Sequence, residues 1–248
     1  MRVREPLESL MVAVMNRLAE RFGNHAILKG GMALRLLDCP RATNDLDYVF
    51  VPFSSKNDVK NDLVAALRSL PDAEVACSLN SKALRCIVRQ GALTLQVEAQ
   101  AQLMCDSQAL STATLARAHQ QQGRIIRVMR LDVALAHKLA AWNERRLIRD
   151  LFDIHFLHQV VGVKPHVATL ARRLQKVESR IPGTAKKRRM SLAELANELD
   201  HAAAGLTARG VREQLRDYLG REDLTGLELR LRVALAQLAA WLRSPAAS

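Results

Sequence analysis

Between Lys29 and Tyr48 the chain reads KGGMALRLLDCPRATNDLDY, and no other stretch restricts its fold so tightly. Two glycines, Gly30 and Gly31, follow the apolar pair Ile27-Leu28. That is the pattern of a strand turning into a helix, where glycine accepts backbone angles closed to other residues. Further on, Asp45, Asp47, Val49 and Val51 alternate with Leu46, Tyr48 and Phe50. A strand places residues i and i+2 on one side, so both carboxylates face the same way. An Asp-x-Asp alone is common on surfaces, and a metal site needs further oxygen ligands.

The flanking sequence predicts a mixed α/β layer around this stretch. Pro6 opens a first turn, and Leu7, Leu10, Met11, Val14, Leu18 and Phe22 recur at helical spacing up to Gly23-Asn24. A short strand is expected at 25–29, a helix at 32–37, and a helix at 57–70 closed by Pro71. Strands at 74–79, 83–89 and 93–100 follow, with Gly91 marking a hairpin between the last two. In the third of these, Leu93, Leu95 and Val97 face one side and Thr94, Gln96 and Glu98 the other, which makes Glu98 a lone acid on a strand flank. After a mixed region at 106–123 comes a short strand at 125–129. Asp132 then reads as the N-cap of a long helix reaching about Gln159. Further helices are expected at 166–178, 191–203, 207–219 and 224–242, with Ser191 and Glu194 as a capping box. The organisation expected is a mixed α/β domain, 1–127, followed by a helical domain, 128–248.

The 248 residues carry a formal net charge of +12, which favours polyanionic partners such as nucleic acid or phosphate-bearing ligands. A GC-rich genome also raises arginine content, so charge alone does not fix the partner. The four cysteines, Cys39, Cys77, Cys86 and Cys105, form no CxxC pair and lack ligand spacing with histidine. They predict free thiols in a reduced cytoplasm and no structural zinc. No segment approaches the run of about 20 apolar residues that spans a membrane, and the N-terminus does not resemble a signal peptide.

The long predicted helix supplies a second constellation, Lys138-Leu-Ala-Ala-Trp-Asn-Glu-Arg145-Arg-Leu-Ile-Arg149-Asp150-Leu-Phe-Asp153. On an unbroken helical wheel Arg145, Arg149 and Asp153 lie within roughly 60° of Lys138. Ala140, Leu147, Leu151 and Ile154 fall opposite. Stacked cations repel unless an anion lies across from them. The face is therefore either solvated, with i,i+4 pairs such as Arg149–Asp153, or a grip for a triphosphate steadied by carboxylates of the same helix. Lys186-Lys187-Arg188-Arg189 is another basic run, either a solvated loop or a contact for RNA phosphates.

Taken together, the two stretches point to phosphoryl chemistry. A Gly-Gly turn at a helix start offers backbone N–H groups to a phosphate. Paired Asp on one strand with a third acid on another is what divalent ions need for in-line attack on phosphorus. Cations elsewhere then hold the outer phosphates and neutralise developing charge. The chemistry is expected in a cleft between the two domains.

The run LKGGMALRLL…RATNDLDY resembles the opening motif of the AbiEii/AbiGii nucleotidyltransferase toxins, and KLAAWNERRLIRDLFD matches that family's second motif, KLxA followed by R-x-x-x-R-D-x-x-D. The resemblance implies an α+β fold: a polymerase-β-like nucleotidyltransferase domain with a mixed sheet flanked by helices, then an α-helical C-terminal domain completing the nucleotide site. It implies an enzyme that moves NMP from an NTP to an acceptor hydroxyl, tRNA 3′ ends among the acceptors, in a toxin–antitoxin or phage-defence setting with a cognate antitoxin as partner. On the same ground Asp45, Asp47 and Glu98 would bind Mg²⁺ (Mn²⁺ as the alternative ion). Lys29, Gly30, Gly31, Arg41 and Thr43 would line the nucleotide's phosphate side, and Lys138, Arg145, Arg149, Asp150 and Asp153 would organise the other side, Lys138 and Asp150 acting in catalysis. Two departures stand out. Gly31 and Met32 occupy positions where relatives carry hydroxyl residues, and a lost hydroxyl would weaken nucleotide binding by about 1 kcal/mol. Glu98 replaces an Asp and is one methylene longer. The rival readings are transfer to a small molecule of aminoglycoside type, disfavoured by the shortage of acids, and a catalytically silent nucleotide-binding regulator.

Overall fold

Helix α1 (Arg4–Phe22) lays Leu10, Met11, Val14, Met15 and Leu18 onto a sheet, and a single 3-10 turn at Gly23–His25 delivers the chain into its first strand. The computed structural model describes residues 4–81, 83–178 and 189–245. Two units partition the chain, Met1–Arg130 and Leu131–Ser248. Lys186, Lys187 and Arg188 of the basic run lie outside the described residues.

The first unit is built on seven strands: β1 (Ala26–Lys29), β2 (Asp45–Phe50), β3 (Glu74–Leu79), β4 (Leu84–Gln90), β5 (Leu93–Ala101), β6 (Ser107–Ser111) and β7 (Ile125–Met129). Their order in the sheet is β3-β4-β5-β2-β1-β7-β6. The sheet is mixed: β2 runs antiparallel to β1 and parallel to β5, while β1 is parallel to β7. One face carries Leu46, Tyr48, Phe50, Leu84, Cys86, Val88, Leu95 and Val97, which pack with α1 and α3 (Lys56–Arg68) in a single core. Helix α3 begins with a capping box in which Ser55 and Asp58 satisfy each other's backbone N–H groups. Short helix α2 (Gly30–Arg35) follows β1 directly, and α4 (Ala113–Ala118) lies with β6 in the region the sequence left unassigned.

Cys77 and Cys86 stand opposite each other across the β3–β4 ladder, with Cα atoms 4.1 Å apart, and are joined as a disulfide. This corrects the expectation of four free thiols. The pairing comes from antiparallel register between residues nine apart, which cysteine spacing does not reveal. Cys39 and Cys105 are not joined in a disulfide. Burial and the neighbouring Asp106 push the Cys105 thiol up to about 11, partly offset by Lys29.

The second unit is helical: α5 (Leu131–Arg145), α6 (Ile148–His155), a π-helical turn (Phe156–Val160), α7 (Val167–Leu174), α8 (Leu192–Gly205), α9 (Ala208–Leu215), α10 (Arg221–Leu224) and α11 (Leu227–Leu242). The Ser191–Glu194 capping box opens α8 as the sequence predicts. The single long helix expected from Asp132 to Gln159 is instead broken. Arg146 adopts a left-handed φ of 57° and Leu147 is extended, so α5 and α6 are separate helices. Helix α5 also starts at Leu131, which puts Asp132 inside the first turn, where its Oδ1 accepts the Val133 N–H at 2.8 Å. Arg146 is kept in its uncommon conformation by Trp142 and Glu198. Its N–H donates to the Trp142 carbonyl (2.7 Å), its guanidinium lies 4.5 Å from the Trp142 ring centroid, and it pairs with Glu198 at 2.8 Å. Among the described residues no helix is long and apolar enough to cross a membrane.

Candidate active site

In the first unit the acids stand on the sheet face opposite the helix-packed core. On β2, Leu46 and Tyr48 are buried while Asp45 and Asp47 remain partly exposed, so both carboxylates share a face as the alternation predicts. The parallel register sets Asp47 beside Glu98 and Asp45 beside Gln96. Across β1, β2, β5 and β4 one row then reads Lys29, Asp47, Glu98, Arg85. Two carboxylates occupy its centre and a cation flanks each. Lys29 Nζ lies 4.0 Å from Asp47 Oδ1. Arg85 donates from Nη2 and Nε to Glu98 Oε1 at 2.7 and 3.1 Å, and Gln96 Nε2 donates to the same oxygen at 3.2 Å. Sequence reasoning missed Arg85. Counting outward from the Gly91-Ala92 turn would have found it, because Gln90 pairs with Leu93 and Arg85 therefore with Glu98.

The glycine turn is shaped by the same acids. Gly30 has a φ of +75°, a left-handed value that disfavours side chains. A Cβ there would collide with Asp47 Oδ2 and lie 3.1 Å from Asp47 Cγ. The Asp47 side chain thus rests on the bare Cα of Gly30. A Cβ at Gly31 would sit 2.8 Å from Thr43 Oγ1 and 2.9 Å from Arg41 Nη2. The space beside the Gly31 Cα is filled by Thr43 and by the buried Arg41, so a side chain at position 31 would require them to shift. Thr43 Oγ1 in turn donates to Asp45 Oδ1 at 2.8 Å, and Arg41 Nη1 donates to the Ala42 carbonyl at 3.1 Å.

In the second unit the break at Arg146 decides which charges meet. In an unbroken helix Lys138 and Asp153 would be about 22 Å apart along the axis, and Arg145 and Asp150 would point roughly 140° apart. In the structure Lys138 Nζ lies 2.5 Å from Asp153 Oδ2. Arg145 grips Asp150 with two parallel bonds, Nε to Oδ2 at 2.6 Å and Nη2 to Oδ1 at 2.5 Å. Both aspartates are buried, Asp150 at 0% and Asp153 at 1% exposure, so they act as fixed anchors for partly exposed cations. The Asp150 hydrogen bond is the main reason Arg145 is held above the ordinary guanidinium pKa. The Arg149–Asp153 pair of the solvated-face alternative does not form, and the shared wheel of four residues gives way to two separate pairs. The Arg149 side chain makes no ion pair or hydrogen bond among the described residues.

Three carboxylates, Asp45 and Asp47 on β2 and Glu98 beside Asp47 on β5, are the right donor type for a hard divalent cation. They are not drawn together: among the described residues no group of three or more His, Cys, Asp or Glu side chains is spaced to hold a metal ion. Asp47 leans onto Gly30 and Glu98 toward Arg85. The donors fit such an ion in chemistry and in order along the sheet.

The family model described as nucleotidyl transferase AbiEii toxin, Type IV TA system, matches residues 13–233. The chain belongs to the AbiEii nucleotidyltransferase toxin family. It is thus a nucleotidyltransferase, with NTP as substrate and an antitoxin as the partner the family implies. Solved structures share the fold. JHP933 from Helicobacter pylori is 19% identical over 98% of this chain and 94% of its own, with a TM-score of 0.59. MenT4, a nucleotidyltransferase toxin from Mycobacterium tuberculosis H37Rv, is 15% identical over 95% and 84%, with a TM-score of 0.56. The mixed sheet flanked by helices, followed by a helical region, is the polymerase-β-like arrangement that the sequence motifs imply. No curated protein sequence matches the chain.

Proposed function

We propose that this AbiEii nucleotidyltransferase transfers NMP from an NTP to the 3′-terminal hydroxyl of an RNA, with tRNA as the acceptor, and uses Mg²⁺ to do so. The observation that carries the proposal is the placement of Asp45 and Asp47 on one open sheet face, with Glu98 in register beside Asp47. These three would hold the cation. When bound, it supplies Lewis acidity to the attacking hydroxyl and offsets charge on the leaving pyrophosphate. The turn at Gly30-Gly31 brings bare backbone close to Asp47, and Lys29 contributes positive charge beside it. Arg41 and Thr43 close the underside of that turn, and the Thr43 hydroxyl fixes the rotamer of Asp45. Lys138, Arg145 and Arg149 are proposed to receive the nucleotide's outer phosphates. Asp153 and Asp150 set the positions of the first two, and Arg149, which has no ion-pair partner among the described residues, would meet an incoming anion.

The net charge of +12 supports a polyanionic acceptor over a cationic small molecule. The proposed setting is a toxin–antitoxin module active in phage defence, in which the antitoxin silences transfer. Incubation with each α-labelled NTP, Mg²⁺ and total RNA tests the reading. Label should appear in RNA of tRNA length and vanish in the Asp45→Ala/Asp47→Ala variant. Undiminished labelling by that variant refutes the assigned acids, and label found only on small molecules refutes the acceptor.

A further inference from the structure

The charge row across the sheet has a cation at each end and two carboxylates in the middle. Neighbouring carboxylates repel, and in this row each leans outward. Asp47 rests on Gly30 with Lys29 Nζ 4.0 Å away, while Glu98 Oε1 receives both guanidinium bonds of Arg85. This outward lean separates Asp47 from its register neighbour Glu98, in keeping with the absence of a metal-spaced cluster of three such side chains among the described residues. Arg85 is the stronger of the two end cations, because it grips through two hydrogen bonds at 2.7 and 3.1 Å.

We propose that Arg85 is a built-in counter-cation that holds Glu98 away from the metal position, so that a divalent ion must win Glu98 from Arg85 before the site is complete. The idea rests on Asp45, Asp47 and Glu98 being the cation ligands proposed above. Arg85 is then a positioning residue that sets how much free divalent ion the enzyme needs. Its side chain is 45% exposed, so the released guanidinium turns to water without being stranded in the interior. Glu98 is suited to this exchange, since its additional methylene lets the carboxylate reach either way. The charge repulsion and the competition act in the same direction, so removing the cation should tighten metal binding.

Mn²⁺ binding in the absence of nucleotide, read from the loss of the free-ion EPR signal, tests this directly. Arg85→Gln keeps a hydrogen-bond donor and loses the charge. It should bind Mn²⁺ more tightly than the wild type, by roughly threefold at physiological salt and about tenfold at low salt. Arg85→Lys keeps the charge with a looser grip and should show a smaller gain in the same direction. With Glu98→Gln already present, the gain from Arg85→Gln should shrink. Weaker or unchanged Mn²⁺ binding in Arg85→Gln overturns the proposal, as does failure of every protein to bind, because Arg85 is then not what limits the site. A gain that persists in full without Glu98 also overturns it. The Asp45→Ala/Asp47→Ala protein separates the two claims. If it binds Mn²⁺ as the wild type does, the proposed ligand set is wrong; if its binding is lost while Arg85→Gln shows no gain, only the role of Arg85 fails.

Discussion

Gly30 offers a test in which the structure supplies both the perturbation and its control. Gly30→Ala meets two separate costs. The first is backbone: a residue with a Cβ at φ +75° pays about 1–2 kcal/mol for the left-handed conformation, partly offset by the lower entropy of the unfolded alanine chain. The second is steric, because the new methyl occupies the space where Asp47 Oδ2 rests. Displacing a packed side chain of this kind adds about 1–3 kcal/mol. Gly91 isolates the first cost. It has a φ of +55° in the β4–β5 turn, and a Cβ there meets nothing within 4 Å. Gly91→Ala should thus lose about 1 kcal/mol, and Gly30→Ala about 2–4 kcal/mol. Urea unfolding of the two variants beside the wild type, compared by midpoint at constant m, measures the difference. Nucleotidyl transfer should survive in Gly91→Ala and be lost in Gly30→Ala at temperatures where both are folded. Equal destabilisation by the two substitutions would refute the contact between Asp47 and Gly30, and with it the account of how the glycine turn shapes the acids.

Asp150→Ala should cost about 2–3 kcal/mol, below the full penalty for a broken buried pair because Arg145 can turn its guanidinium to water; differential scanning calorimetry checks this, and a loss under 1 kcal/mol would mean the pair anchors nothing. Asp153→Asn keeps the volume and removes the charge facing Lys138, so the apparent NTP affinity should fall by more than the melting temperature does, as read by nucleotide titration and thermal scans. Burial holds the imidazoles of His155 and His158 below their ordinary pKa, with Arg230 and Lys164 adding to the effect respectively. The unfolded chain therefore binds these protons more readily, so their contribution is complete above about pH 7, begins to fade below about 6.5 and is lost as pH falls through their lowered folded-state values. The melting temperature should drop between pH 7.5 and 5.5, and the double variant His155→Gln/His158→Gln should drop less.

Much of the first unit could be read in advance because its signals are local. The Asp45–Phe50 alternation, the Gly91 turn and the apolar spacing of α1 each sit within a few residues of the structure they specify. What escaped the reading depends on pairing at a distance. The Cys77–Cys86 bridge and the Arg85–Glu98 bonds are consequences of strand register, and β6 with α4 lies in a stretch with weak periodicity. The break after α5 escaped for another reason. Helix interruptions are expected at Gly or Pro, whereas here an arginine takes the left-handed turn and is held there by Trp142 and Glu198. Lys138, Arg145, Asp150 and Asp153 stand out in the sequence by their charge and spacing, but a straight helical wheel gives them other partners than the bent segment does.

The sheet order carries a consequence for how such a protein is made. Strand β1, which ends at Lys29 and the glycine turn, is hydrogen-bonded on one edge to β2 and on the other to β7, where Ile27 meets Arg127, a hundred positions later. A chain emerging from the ribosome therefore holds its acids on β2 long before the strand that covers the far edge of β1 exists. The buried Asp150 and Asp153 that steady Lys138 and Arg145 come later still. The residues proposed to hold the nucleotide are therefore all present only once the chain has been made past Asp153.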